Sequence, residues 1–350
     1  MRGRAVLLGS FSWIIFAATA YAQVEAELFA RSRVFPEVGP GTAALKRDPA
    51  GRYYVLIPRS RGGSTVLIYD KQGKPLGQIP PAGSSSAAGG LVYGEDFDVD
   101  PTGRLYVADR AANAVKVFAP DGSLAQTIPI VAPTSVAALL DGEFVVASAG
   151  HGSRRDNSPK LVTVFDNRGR VSREFGDLSQ VAERRELNRF LNIGRVATDP
   201  VGHIYYAFSY LPEPTLRKYD RFGYAVLEIE LATLEFQPAA QATRREIARQ
   251  ESRSIGSGTP SFKPIVNAIA VDPETQEIWL ARGALLLHFT SEGVRRATYR
   301  TFTPEGARIE ASAILIEPDR LVLASDTLGI FEFPRPDHSG GARPDKARPH

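Results

Sequence analysis

The sequence predicts an all-β fold, a six-bladed β-propeller whose last blade is closed by an N-terminal strand, with one or two helical insertions on one face. Three observations lead there. A unit of four short strand-like segments recurs six times, and Asp-Pro-x-Gly turns punctuate it. The sixth copy ends one strand short, while an unassigned strand-like segment precedes the first.

The unit is clearest over residues 97 to 130. Phe97-Asp98-Val99, the turn Asp100-Pro101-Thr102-Gly103, and Leu105-Tyr106-Val107-Ala108-Asp109 lead through a polar loop to Ala114-Val115-Lys116-Val117-Phe118. Pro120-Asp121-Gly122 then turns the chain into Ser123-Leu124-Ala125-Gln126-Thr127-Ile128. The strand segments are apolar or alternating and rich in β-branched and aromatic residues, and Pro and Gly stand where a type I turn prefers them. The first strand meets its turn at Asp48, Asp100, Leu140, Asp199, Asp272 and Glu317, at successive spacings of 52, 40, 59, 73 and 45 residues. Each interval is long enough for four strands. The third and sixth copies, around Asp141-Gly142 and Pro318-Asp319, have shortened turns.

In Asp-Pro-x-Gly, in Leu105 to Asp109 and in Val115 to Phe118 followed by Pro-Asp-Gly, the chain resembles the NHL-repeat family and related bacterial six-bladed propellers. The resemblance covers nearly the whole chain after its leader. It implies the fold; relatives of this architecture include binding modules, lactonases, lyases and scaffolds, so it implies no single activity.

The sixth copy supplies strands only at 313 to 317, 321 to 325 and 328 to 333. The segment Ala26 to Phe35 is expected to provide the missing outer strand, covering an edge that would otherwise invite aggregation.

The first residues read as an export signal. Arg2 and Arg4 precede a mostly apolar stretch, and Ala20-Tyr21-Ala22 places cleavage after Ala22, which predicts a periplasmic or secreted protein. No later stretch is apolar enough to span a membrane. The absence of cysteine excludes disulfides, thiolate metal sites and a lipidated cysteine anchor. The formal charge of +3 falls to about +1 once Arg2 and Arg4 are removed, which gives no electrostatic case for nucleic acid. Residues 334 to 350, rich in Pro, Gly, Arg and Asp, read as a disordered tail, and nothing calls for more than a monomer.

Within a blade, the first-to-second and third-to-fourth connections share one face of the disc and the remaining ones share the other. Every connection of the first set is short. The second set holds Pro81 to Gly94, Ala149 to Lys160, Asp177 to Asn192, Ser209 to Pro214 and Ala232 to Pro264. Long loops in a compact domain are usually either functional or disordered. Asp177 and Gln180 at capping-box spacing predict a helix ending near Asn192. Residues 239 to 254 predict a second, with Arg244, Arg245, Arg249 and Arg253 near helical spacing, followed by a linker at Ser254 to Pro260. Arg154 and Arg155 with Asp156 to Pro159 form a polar loop on the same face.

The inner strands begin on that face with Glu95, Asp96, Asp98, Ser135, Arg195, Asn267 and Ser312. Oxygen ligands converging there would suit Ca²⁺ or another oxygen-liganded metal, though no motif calls for it. Alternation sends Asp96 and Asp98 to one side and Glu95 to the other. Lactonase-like relatives use a carboxylate and amide metal set, for which the resemblance offers Glu95, Asn267 and Asp109. A zinc lyase would need several channel histidines, whereas only His151 of the five lies on this face. The repeated turn aspartates read as structural caps, and no nucleophile elbow is present. The expected ligand-binding set is Glu95, Asp96, Asp98, Asp109, Arg195 and Asn267. The expected function is binding of a protein or small molecule on the long-loop face, with a metal-dependent hydrolase or lyase as the competing reading.

Overall fold

The structure, a computed structural model, describes residues 24–58, 63–81, 89–152, 158–231, 234–252 and 262–336. The leader, Arg154 to Asn157, Arg253, the linker at Ser254 to Pro260 and the tail from Asp337 lie outside the described residues. Two strands, β1 (Val24–Phe29) and β2 (Ser32–Val34), precede the first blade. Blade 1 is β3 (Ala44–Arg47), β4 (Tyr53–Ile57), β5 (Thr65–Tyr69) and β6 (Pro75–Ile79). Blade 2 is β7 (Gly94–Val99), β8 (Leu105–Asp109), β9 (Ala114–Phe118) and β10 (Leu124–Pro129). Blade 3 is β11 (Pro133–Ala138), β12 (Phe144–Ser148), β13 (Lys160–Phe165) and β14 (Val171–Asp177). Helix α1 (Arg185–Leu191) leads to blade 4, β15 (Gly194–Thr198), β16 (Ile204–Phe208), β17 (Thr215–Tyr219) and β18 (Ala225–Glu230). Helix α2 (Gln237–Glu251) leads to blade 5, β19 (Ala268–Val271), β20 (Ile278–Arg282), β21 (Leu285–Phe289) and β22 (Arg295–Phe302). Blade 6 has β23 (Ala313–Ile316), β24 (Arg320–Ser325) and β25 (Gly329–Pro334).

Burial follows position in the blade. The middle strands β8, β9, β12 and β16 are buried at every residue because neighbouring blades cover both their faces, which is why they read as continuous apolar runs. Outer strands such as β18 alternate between half-buried and exposed. The core lies in the seams. Tyr54 and Leu56 of blade 1, for example, pack on Phe97 and Val107 of blade 2.

The turn aspartates are structural, as expected. Asp100 Oδ1 accepts the amides of Thr102 (2.9 Å) and Arg104 (3.0 Å), and Gly103 takes φ +87°, a conformation that glycine adopts without steric cost. The other carboxylate oxygen accepts a tyrosine hydroxyl six residues on: Tyr54 to Asp48 (3.1 Å), Tyr106 to Asp100 (3.0 Å) and Tyr205 to Asp199 (3.0 Å). In blade 6 Glu317 takes this place and reaches into blade 1, accepting from Tyr53 (2.7 Å) and pairing with Arg47 (3.1 Å) across the closing seam.

Ring closure departs from the expected single strand. Only β2 completes blade 6, pairing antiparallel with β25 from Ser32 opposite Glu332 to Val34 opposite Ile330. β1 lies beside the fifth blade instead, parallel to β22 from Val24 opposite Ala297 to Phe29 opposite Phe302. The direction is forced. All outer strands of a propeller run the same way, so a segment that continues into the outer strand of blade 6 must run parallel to the outer strand of blade 5. The break falls at Ala30 and Arg31, whose amides donate to Phe302 O (2.9 Å) and Glu332 O (2.8 Å) respectively, one to each blade. Phe35, at φ +50°, then buries its ring against Tyr53 and Tyr69 in the closing seam.

Two further expectations need correction. Helix α1 starts seven residues later than the Asp177 and Gln180 spacing suggested, with Arg184 at its N-cap and no side-chain cap. Asp177 ends β14 and bonds Lys160 (2.7 Å). The segment before the helix is tied from its far end, where Asn188 Oδ1 accepts the amides of Val181 and Ala182 and Asn192 bonds both backbone groups of Ser179. At the carboxyl end, Pro334 pairs with Arg320 in the sheet, and Arg335 bonds Asp272 and the carbonyl of Glu317, so the ordered chain extends beyond residue 333.

Candidate functional site at the long-loop mouth

The described connections divide by face as the sequence suggests. Every first-to-second and third-to-fourth connection is three to six residues long, while α1, α2 and the remaining long segments lie at the opposite ends of the strands. Helix α2 packs Ile247 on the core between blades 3 and 4, and its terminal Glu251 accepts the amide of Glu183 (2.9 Å), joining the two insertions. Of the arginines near helical spacing, Arg244 pairs with Glu213 and Arg249 with Glu246.

The six expected site residues separate into two groups. Asp96 is buried and turned into the scaffold: it accepts from Ser135 Oγ (2.5 Å) and from the amides of Phe97 (2.9 Å) and Val136 (3.3 Å). Asp98 accepts the amide of Ala138 (2.8 Å) and pairs with Lys46 (3.5 Å) on the inner strand of the neighbouring blade 1. Asp109 is fully buried, receives the amides of Val92 and Tyr93 (2.9 Å each), and pairs with Lys116 (3.0 Å). These three are corrections: their lone pairs are spent on backbone amides, and they do not converge with Glu95. Among the described residues no three His, Asp or Glu side chains gather as a metal would need.

Glu95, Arg195 and Asn267 do come together. With Arg110, Thr134, Ser209, Tyr210, Ser312 and Asp326 they line a cavity of about 210 Å³ at the long-loop mouth. Glu95 pairs with Arg110 at 3.3 Å. Asn267 Oδ1 accepts the amide of Gly283 (2.9 Å), which leaves its NH₂ as a donor. Arg195, half-buried on β15, has no hydrogen-bond or ion-pair partner among the described residues. Burial raises the Tyr210 phenol above its usual range, with Glu95 adding to the rise and Arg195 and Arg110 opposing it. The ring of Tyr210 also packs on Phe190 of α1, and Phe190 on Phe262, an aromatic wall at the rim.

Reading along the sequence missed Arg110, Ser209 and Asp326. Each is the first residue after the second strand of its blade, following Asp109, Phe208 and Ser325. Superposing the repeats at that register would have found all three.

Inward of Arg195 the channel narrows to about 30 Å³ between Lys46, Asp96, Ser135 and Arg195, room for water and nothing larger. Beyond this waist a larger cavity of about 460 Å³ opens on the turn face. Of its charged side chains, Asp48 pairs with Arg52, Asp98 with Lys46, Asp272 with Arg335 and Glu317 with Arg47, while Glu274, which also lines it, is exposed. Ile269, Val271 and Leu315 complete its walls. Size favours the turn face, while open hydrogen-bonding groups favour the long-loop mouth as the candidate site.

The described histidines serve the scaffold. His151 Nε2 bonds the carbonyl of Arg189 (2.7 Å) and so holds α1; burial pushes its pKa down. His203 bonds Asp199 (2.7 Å), and His288 bonds Glu277 (2.9 Å) while stacking on Trp279.

No protein-family model matches the chain, and no curated protein matches it in sequence. Solved structures do. A streptogramin B lyase is similar at a TM-score of 0.52 and 11% identity, over 85% of this chain and 84% of that one. Virginiamycin B lyase from Staphylococcus aureus gives 0.52 and 10% over 87% and 97%, and the WD40 repeats of RRP9 give 0.52 and 10% over 86% and 96%. The fold is a β-propeller. At these identities the likeness extends to the fold alone, which lyases and WD40 repeats both use, so the propeller is a frame on which the mouth residues must be read for themselves.

Proposed function

We propose that this chain is an exported propeller, akin to the NHL-repeat kind, that acts as a binding module through its long-loop face, with the mouth cavity as the ligand site. One observation carries the reading. Arg195 stands half-buried, with no side-chain partner among the described residues, in a cavity on the face where the long connections gather. A guanidinium loses hydration there and recovers it only from an incoming group. The cavity lies below the roughly 300 Å³ at which drug-sized sites begin, which points to a small ligand or the tip of a larger one. The open groups among the described mouth residues are a guanidinium on Arg195, a carboxylate on Asp326 and an amide on Asn267, which supports a reading of binding.

The test uses protein recovered from an exported fraction, whose mature chain should begin at Gln23. A thermal-shift screen with small polar metabolites should find ligands whose stabilisation disappears in Arg195→Ala and persists in Glu274→Ala, a change at the turn-face cavity. Ligands lost only in the turn-face variant would move the site to the other mouth.

A further inference from the structure

From the charges left over in this cavity we infer that it takes a small zwitterion of the amino-acid kind, its carboxylate on Arg195 and its ammonium on Asp326. The inference rests on the reading of the mouth as a ligand site and narrows it to one chemistry. Four charged side chains line the cavity: Glu95, Arg110, Arg195 and Asp326. Glu95 and Arg110 pair with each other. Arg195 and Asp326 have no side-chain partner among the described residues and form no ion pair together, so one charge of each sign is left open in the same small space.

That remainder discriminates between ligand classes. A phosphate dianion would satisfy Arg195 but bring its second charge toward Glu95 and Asp326. A simple amine would satisfy Asp326 and leave Arg195 bare, and an apolar molecule would strand both. A zwitterion completes both pairs and adds no net charge to a lining that has none. The two ends also differ in depth, since Arg195 is half-buried on the inner strand β15 whereas Asp326 is exposed just after β24. The carboxylate therefore sits inward, in reach of the Asn267 NH₂, and the ammonium sits at the rim. Arg195 is held in place by the backbone pairing of β15 with β16, Arg195 opposite Ala207, so its planar fork is presented from a rigid element. Tyr210 lines the same space, and with Phe190 it offers an aromatic wall to the ligand's side chain.

Calorimetric titration of the full mature chain with the twenty standard amino acids tests this. For the tightest binder, the deaminated acid, the decarboxylated amine and inorganic phosphate serve as matched probes. The expected result is binding of at least one amino acid at least about tenfold tighter than any of its three probes. Arg195→Ala should lose at least about tenfold for the amino acid, and Arg195→Lys less. Asp326→Asn should weaken the amino acid while leaving the deaminated acid unchanged. Circular dichroism melts of the three variants establish that they fold. The inference is overturned if an acid, amine or phosphate binds as tightly as the amino acid, or if Asp326→Asn affects the acid and the amino acid alike. Binding of uncharged compounds alone, lost in Asn267→Leu, would overturn the zwitterion and keep the mouth as a ligand site. Failure of every probe and of the metabolite screen would remove both.

Discussion

At the scale of single residues, the carboxylates of this propeller show how little a side chain's identity says about its use. Asp109 was expected at a ligand site. It is instead the centre of a buried knot, taking two loop amides and the ammonium of Lys116, which also donates to the carbonyl of Gly90. Removing one member leaves the other charge without compensation, so Asp109→Ala should lose about 3–5 kcal/mol in urea unfolding, whereas Asp109→Leu with Lys116→Met should recover part of that loss. The turn aspartates give a second expectation. Burial first, and then the carboxylate of Asp48, pushes the Tyr54 phenol up to about 12; Tyr106 and Tyr205 are raised by the same causes, beside Asp100 and Asp199. The folded chain thus keeps protons that the unfolded chain begins to release near pH 10, about the ordinary tyrosine value. The stability these tyrosines contribute is complete below that pH and is lost as pH rises from about 10 through the folded values. Melting temperature should fall over this window, and the Tyr→Phe triple variant at 54, 106 and 205 should show a shallower fall from a lower starting point.

At the scale of elements, the repeated strand pattern was legible because middle strands buried on both faces must be apolar throughout and their turns must carry Asp, Pro and Gly. The destination of the N-terminal segment was only half legible. Alternation in Ala26 to Phe35 marks a strand, yet it does not tell which of two adjacent outer edges a continuous strand-like stretch will follow, and the bend at Ala30 and Arg31 has no glycine or proline to announce it. The cap at Asp177 failed for a related reason: local spacing offered a start, while Asn188 and Asn192, at the other end of the helix, fix the preceding loop. The two-blade attachment separates the roles of β1 and β2. Deleting residues 24 to 29 should lower the melting temperature by several degrees and keep one cooperative transition, because β2 still closes the ring. Extending the deletion through Val34 should broaden or split the transition in calorimetry. Equal effects of the two truncations would show that closure does not depend on β2.

At the scale of the whole molecule, which face gathers the long connections was readable from loop lengths alone, since strand order in a blade assigns each connection to a face. The mouth itself was less so. Glu95, Arg195 and Asn267 start inner strands and were found by that rule, whereas Arg110, Ser209 and Asp326 follow second strands and meet the others only when six blades close into a ring. Closure also creates the waist at Lys46, Asp96, Ser135 and Arg195, which lies between the two mouths. The charge of a solute held at one mouth can be felt at the other. Burial pushes Lys46 down while Asp98 and Asp96 outweigh it and hold it above its usual range, and Arg195 acts on it through the waist from the long-loop side. An anion arriving at Arg195 would relieve that repulsion, so the turn face would register occupancy of the opposite mouth as a further rise in the proton affinity of a lysine that the ligand never touches.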